Sequence, residues 1–117
     1  MCTQNELNHI LKELVNIYRI VYGNRIVKIL LYGSYARGDF DEESDVDVVA
    51  LVKGERETLQ DQLHRVWDAS SELELQYGTI LSPTVIPYDE YKKYVNDLPY
   101  YKNIEKEGIE LHGHRLA

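Results

Sequence analysis

The chain is short of cysteine, of basic residues and of long apolar runs, and each shortage closes off a class of protein. Its single cysteine, Cys2, can form no internal disulfide and supplies no thiolate cluster for zinc. No apolar stretch approaches the length that crosses a bilayer, so no membrane span is expected. The first residues, Met1-Cys2-Thr3-Gln4-Asn5-Glu6, lack the basic-then-apolar order of a secretory signal, which predicts a cytoplasmic location. Against 13 Lys and Arg stand 20 Asp and Glu, and a net charge of −7 argues against broad electrostatic attraction to nucleic acid. A small nucleotide or a protein partner fits that balance better. Lys92, Lys93, Lys102 and Lys106 read as a solvated helix face rather than as a phosphate-binding patch.

What remains is globular. With 44% hydrophobic and 28% charged residues, the 117 residues can bury one core and are too few for two, so a single domain over 1–117 is expected. Leu7, Ile10, Leu11, Leu14, Val15, Tyr18 and Val21 recur at helical spacing and predict a helix over 4–22, with Thr3 and Glu6 set as a capping box. Residues 26–32, rich in β-branched and apolar side chains, predict a buried strand. Residues 45–52 predict a second, central one, apolar on both faces after Asp47. A long helix over about 56–77 follows, with Leu59, Leu63, Val66, Trp67, Ser70, Leu73 and Tyr77 near one face. Residues 79–87 favour a strand that Pro83 assigns to an edge or bulge. Two short helices flank Pro99, and Ile109-Glu110-Leu111 form a terminal strand or packed tail. The order predicts a small α/β (α+β) domain, a mixed sheet flanked by helices.

The chemistry-bearing residues lie between the first two strands. In a strand, residues i and i+2 share a face, so Asp45 and Asp47 aim at one point while Val46 and Val48 turn the other way. Like charges placed so close favour a neutralising cation, and magnesium serves while leaving positions for water and phosphate oxygens. The competing reading, soluble aspartates on an exposed edge, sits poorly with the apolar run that follows. Gly33 permits a tight turn and close approach of a phosphate, and Ser34 adds a hydroxyl and a helix cap. Arg37 either offsets phosphate charge or pairs with Asp39 or Asp41. Tyr32 and Tyr35 are candidate base-stacking rings, although ten tyrosines in the chain make packing the commoner role.

Gly33-Ser34, ten intervening residues, then Asp45-Val46-Asp47 resembles the signature of the polymerase-beta-type nucleotidyltransferase superfamily. Tyr35-Ala36-Arg37-Gly38-Asp39, Ser44-Asp45 and the tail from Tyr101 to Gly108 make the chain most similar to the minimal nucleotidyltransferases. These are palm-like domains that stand alone, and the likeness covers nearly the whole chain. The resemblance implies transfer of a nucleoside monophosphate, AMP from ATP or another triphosphate, to an acceptor hydroxyl with release of pyrophosphate. It places the triphosphate on Gly33 and Ser34, where Arg37 is the side chain read above as able to offset phosphate charge, and Mg2+ on Asp45 and Asp47, which act as the catalytic pair. It further implies a HEPN-type protein partner toward which the domain acts as antitoxin, in some relatives by adenylylating a tyrosine of that partner; a homo-oligomer is compatible with it.

The pattern has one gap. Active superfamily members add a third carboxylate from a later strand, whereas residues 79–87 offer only Thr79, Ser82 and Thr84 as polar side chains. Glu72 and Glu74 read as solvent-facing. The alternative expectation is therefore a catalytically weakened nucleotide-fold module that neutralises its partner by contact. Transfer to a small molecule such as an aminoglycoside ranks lower, since so short a chain leaves little for a dedicated acceptor pocket.

Overall fold

A computed structural model describes residues 3–113. The elements run α1 (Gln4–Tyr22), a 3-10 turn (Gly23–Arg25), β1 (Ile26–Tyr32), α2 (Ser34–Arg37), β2 (Val46–Val52), α3 (Arg56–Tyr77), β3 (Leu81–Pro87), α4 (Tyr88–Tyr94), α5 (Pro99–Glu107) and β4 (Ile109–Gly113). Thr3 closes the start of α1 as a capping box: its hydroxyl accepts from the Glu6 N–H at 3.1 Å, and Glu6 accepts from the Thr3 N–H at 2.9 Å. Gly78 ends α3 in the left-handed region, φ 64° and ψ 30°, where a Cβ would be disfavoured.

One four-stranded mixed sheet carries the fold, in the order β3-β2-β1-β4. β2 pairs antiparallel with β1 and parallel with β3, and β4 returns antiparallel along the other side of β1. The parallel pair is made possible by α3, whose 22 residues carry the chain back along the sheet. β2 is thus interior, as the two-sided apolar pattern after Asp47 requires, and β3 holds Pro83 on an edge.

The two faces of the sheet are covered differently. On one, Leu7, Ile10, Leu14 and Tyr18 of α1 and Leu59, Leu63, Val66 and Leu73 of α3 close over Val46, Val48, Ala50 and Val52. The Tyr18 hydroxyl, fully buried there, donates into the seam between β2 and β3, 2.8 Å from the Thr84 carbonyl and 3.2 Å from that of Val48. Burial holds its proton well above the ordinary tyrosine range, so it stays a donor. On the other face a smaller cluster joins Leu30, Val49, Leu51, Ile86, Tyr91, Tyr101 and Ile104. Polar links bind its helices: Glu90 of α4 accepts from both Arg56 at the start of α3 and Tyr101 of α5, while the Tyr91 hydroxyl donates to Glu105 at 2.6 Å.

Two readings of single residues change. Trp67 stands on the predicted apolar face of α3 but is 43% exposed, because it leans over the sheet edge to donate its indole N–H to the Pro83 carbonyl at 2.9 Å. Glu74, expected to face solvent, is half-buried and accepts from the Leu81 N–H at 2.8 Å, tying the end of α3 to the start of β3. Glu72 is exposed, as expected.

Candidate functional site

Asp45 ends the loop just ahead of β2, and Asp47 is its second residue, level with Tyr32 of β1 and Ser82 of β3. Alternation sends Val46 and Val48 into the core under α1 and α3 and leaves Asp47 on the opposite face with Val49 and Leu51. α4 and α5 cover that face further along the strands, and the carboxylates sit at its uncovered end, each half-buried. Burial first, then the neighbouring Asp45, pushes the Asp47 carboxyl above its ordinary value, and Arg37 pulls it partly back. A cation placed between the two carboxylates would offset both the burial and the like-charge repulsion.

Gly33 explains how the space beside the pair stays open. Its φ of 75° is one that side chains resist, and a Cβ built there would lie 2.4 Å from Asp47 Oδ2. Only the missing side chain lets the β1–α2 turn pass so close to the carboxylate. Ser34 is the first residue of α2 rather than its cap: Gly33 holds the cap position with no side-chain hydrogen bond, and the Ala36 and Arg37 N–H groups donate to the Gly33 carbonyl at 3.1 Å. Arg37, at the end of the same turn, reaches Asp39 at 3.2 Å and Glu107 of α5 at 3.5 Å. Of the two partners anticipated from sequence, Asp39 takes the pairing, while Asp41 accepts from the Glu43 N–H and from Ser44.

Two aromatic expectations resolve toward packing. Tyr35 is buried and stacks on Phe40, centroids 4.4 Å apart and planes 7° from parallel. Tyr32 meets Tyr100 of α5 edge-on at 5.8 Å. Ser82 stands level with Asp47 and its hydroxyl lies 3.4 Å from Asp45 Oδ2, with Thr84 two residues further along the same face. Among the described residues no group of three or more His, Cys, Asp or Glu side chains gathers as a metal cage. Two carboxylates and a hydroxyl suit magnesium, which binds through one or two acids and completes its shell with water and phosphate oxygens.

Tyr100 is the site residue that sequence reasoning missed. It lies at the second position of α5, 46% exposed, its ring against Tyr32, the strand partner of Asp47; burial raises its hydroxyl above the ordinary tyrosine value, Thr84 pulls it partly back, and Tyr32 and Asp47 add to the rise. Pro99 at the first turn of a helix is a readable signal for where α5 begins, but nothing local says which strand that turn faces. A surface recess of about 830 Å3, lined by Glu13, Asn16 and Arg19 of α1 and by His112 of β4, includes none of these residues. Glu13 is the one acid among its described lining residues, so it offers no carboxylate pair.

The nucleotidyltransferase domain family matches residues 6–112 of the chain. The protein belongs to that family. This nucleotidyltransferase domain is 35% identical over 106 residues to a Methanocaldococcus jannaschii protein named "Putative protein adenylyltransferase", covering 91% of this chain and 99% of the relative. A second protein of that name and organism is 36% identical over 102 residues, covering 87% and 94%. Among solved structures, "a putative nucleotidyltransferase from Sulfolobus solfataricus" aligns with a TM-score of 0.57 and 19% identity, covering 95% of this chain and 86% of the other. A chain from the crystal structure of a "toxin-antitoxin with AMP-PNP" aligns with a TM-score of 0.57 and 15% identity, covering 91% and 78%. At such identities these two structures establish the nucleotidyltransferase fold. No helix among the described residues of the domain is long and apolar enough to cross a membrane.

Proposed function

We propose that the protein is a magnesium-dependent adenylyltransferase that moves AMP from ATP to a hydroxyl of a partner protein, the partner being a HEPN-type toxin that the modification silences. The observation that carries this reading is the placement of Asp47 beside a glycine whose absent Cβ leaves the carboxylate uncovered, with Asp45 on the same side. Names of relatives add the reaction class, and the AMP-PNP complex of a structural neighbour adds the nucleotide and the toxin partner by analogy.

Asp45 and Asp47 hold the metal, while Gly33, Ser34 and Arg37 receive the triphosphate. When bound, magnesium offsets the charge of the triphosphate and makes the attacking hydroxyl more acidic. The chain's own contribution is positioning. The β1–α2 turn fixes the phosphate chain, and the rigid interior strand β2 fixes the acids, so the acceptor oxygen can bond to the α-phosphorus as the bridge to the β-phosphate breaks. The half-buried end of the sheet lowers the local dielectric and strengthens each of these contacts.

A second reading, neutralisation by contact alone, is favoured by one observation: Ser82 occupies the level at which a third acid would stand, and its neutral hydroxyl cannot replace a carboxylate in activating the acceptor. Incubating the protein and its neighbouring-gene product with magnesium and each labelled nucleoside triphosphate separates the two. Label on the partner that vanishes in Asp45→Ala/Asp47→Ala supports transfer. Undiminished partner inhibition by that double variant overturns it in favour of contact.

A further inference from the structure

The geometry points to Tyr100 as an internal acceptor: the chain adenylylates its own Tyr100 hydroxyl in a self-limiting step. The inference rests on the adenylyl-transfer reading of the same site and goes beyond it by naming a modification site on this chain.

Four observations converge on this residue. Asp47, Ser82 and Thr84 share the sheet face over which α5 packs. The ring is held edge-on against Tyr32, whose partner across the strand pair is Asp47 itself. Its neighbour Tyr101, 6% exposed and with its ring 5.9 Å from that of Tyr100, is bonded to Glu90, which also holds Arg56. Further along the same helix Glu105 accepts from Tyr91 and Glu107 pairs with Arg37. α5 is therefore fixed against rotation about its axis, and Tyr100 is presented to the carboxylate end of the sheet.

Such a hydroxyl has already lost the translational freedom that an incoming acceptor must surrender, an advantage that intramolecular reactions convert into rate. In the step, the Tyr100 oxygen bonds to the α-phosphorus and the bond from that phosphorus to the bridging oxygen breaks. Pyrophosphate departs, and the phenolic proton goes to the solvent that reaches this half-exposed side chain. The adduct then fills the space in front of Asp45 and Asp47, so one event per chain ends the reaction.

The test uses the full chain with magnesium and isotopically labelled ATP. The expected result is a gain of one AMP per chain in intact mass, mapped by peptide fragmentation to Tyr100, with a fractional rate independent of protein concentration. Tyr100→Phe should lower the label to background, whereas Tyr94→Phe on the exposed end of α4 should label as the parent does. Addition of magnesium with a non-hydrolysable ATP analogue should shift the Tyr100 and Tyr32 ring signals in a protein NMR spectrum, and the Tyr32 shift should persist in Tyr100→Phe as proof that the variant is folded and binds. AMP on any other residue overturns the inference. So does an unmodified chain under conditions where a partner protein is labelled, a result that leaves the proposed function standing. Absence of label on both chain and partner overturns the two together.

Discussion

The two faces of this sheet are built from alternate residues of the same strand, yet they obey different rules. Val46 and Val48 enter a layer sealed by α1 and α3, where even the Tyr18 hydroxyl is fully enclosed and partnered. One residue over, Asp47 emerges on a face whose helices stop short, held by charged and phenolic links in place of a continuous apolar layer. The contrast teaches that stability and reactivity are assigned here by the strand's two-residue period. The closed face supplies the rigidity with which the open one can carry uncompensated charge.

Five variants would break or sharpen that contrast. Leu14→Ala, at a fully buried position on the closed face, should cost about 2–5 kcal/mol in urea denaturation. The double change Asp45→Ala/Asp47→Ala should leave the fold at least as stable as the parent while removing transfer; a loss of stability comparable to Leu14→Ala would erase the distinction between faces. Next comes Tyr18→Phe, which strips a donor from two buried carbonyls and should cost about 1–2 kcal/mol by the same measurement.

Asp47→Asn probes the open face through pH. Because burial and Asp45 raise the folded carboxyl above its unfolded value, ionising it costs stability as pH rises through the interval between the two, and the cost persists above. The Asn variant should therefore be the more stable protein at neutral pH, with the gap closing as pH falls below the ordinary aspartate range. Magnesium should narrow the same gap for the parent at neutral pH, read from denaturation midpoints with and without the ion. Smallest of all, Arg56→Ala should shift the midpoint by under about 1 kcal/mol, since its pairing with Glu90 is solvent-exposed and screened.

Much of this was legible in the sequence because it is periodic or local. The helical spacing from Leu7 to Val21 gave α1, the capping box placed its start, and the glycine after Tyr77 placed the end of α3. The positions of Gly33, Ser34, Asp45 and Asp47 followed from strand alternation and a known spacing. What escaped depends on contacts between elements distant in the chain. Trp67 obeys the helical period but is drawn outward by a carbonyl 16 residues away. Glu74 has the look of a surface acid until the next strand returns to offer it an N–H. Tyr100 was hidden for the same reason: its meaning depends on which end of the sheet α5 is clamped to, and that is decided by Arg56, Glu90 and Arg37 in other elements.

The edge formed by β3 has a consequence for how this domain meets other chains. The Val46 N–H bonds to the Ile80 carbonyl, so in the parallel ladder the backbone groups of Leu81, Pro83, Val85 and Pro87 turn outward. Of these, the Leu81 N–H is taken by Glu74, the Pro83 carbonyl by Trp67, and the two prolines have no N–H to give. Val85 is left as the sole intact rung. A foreign strand laid along this border would find almost nothing to zip onto, which guards against runaway sheet growth and requires a partner protein meeting β3 to recognise side chains rather than backbone.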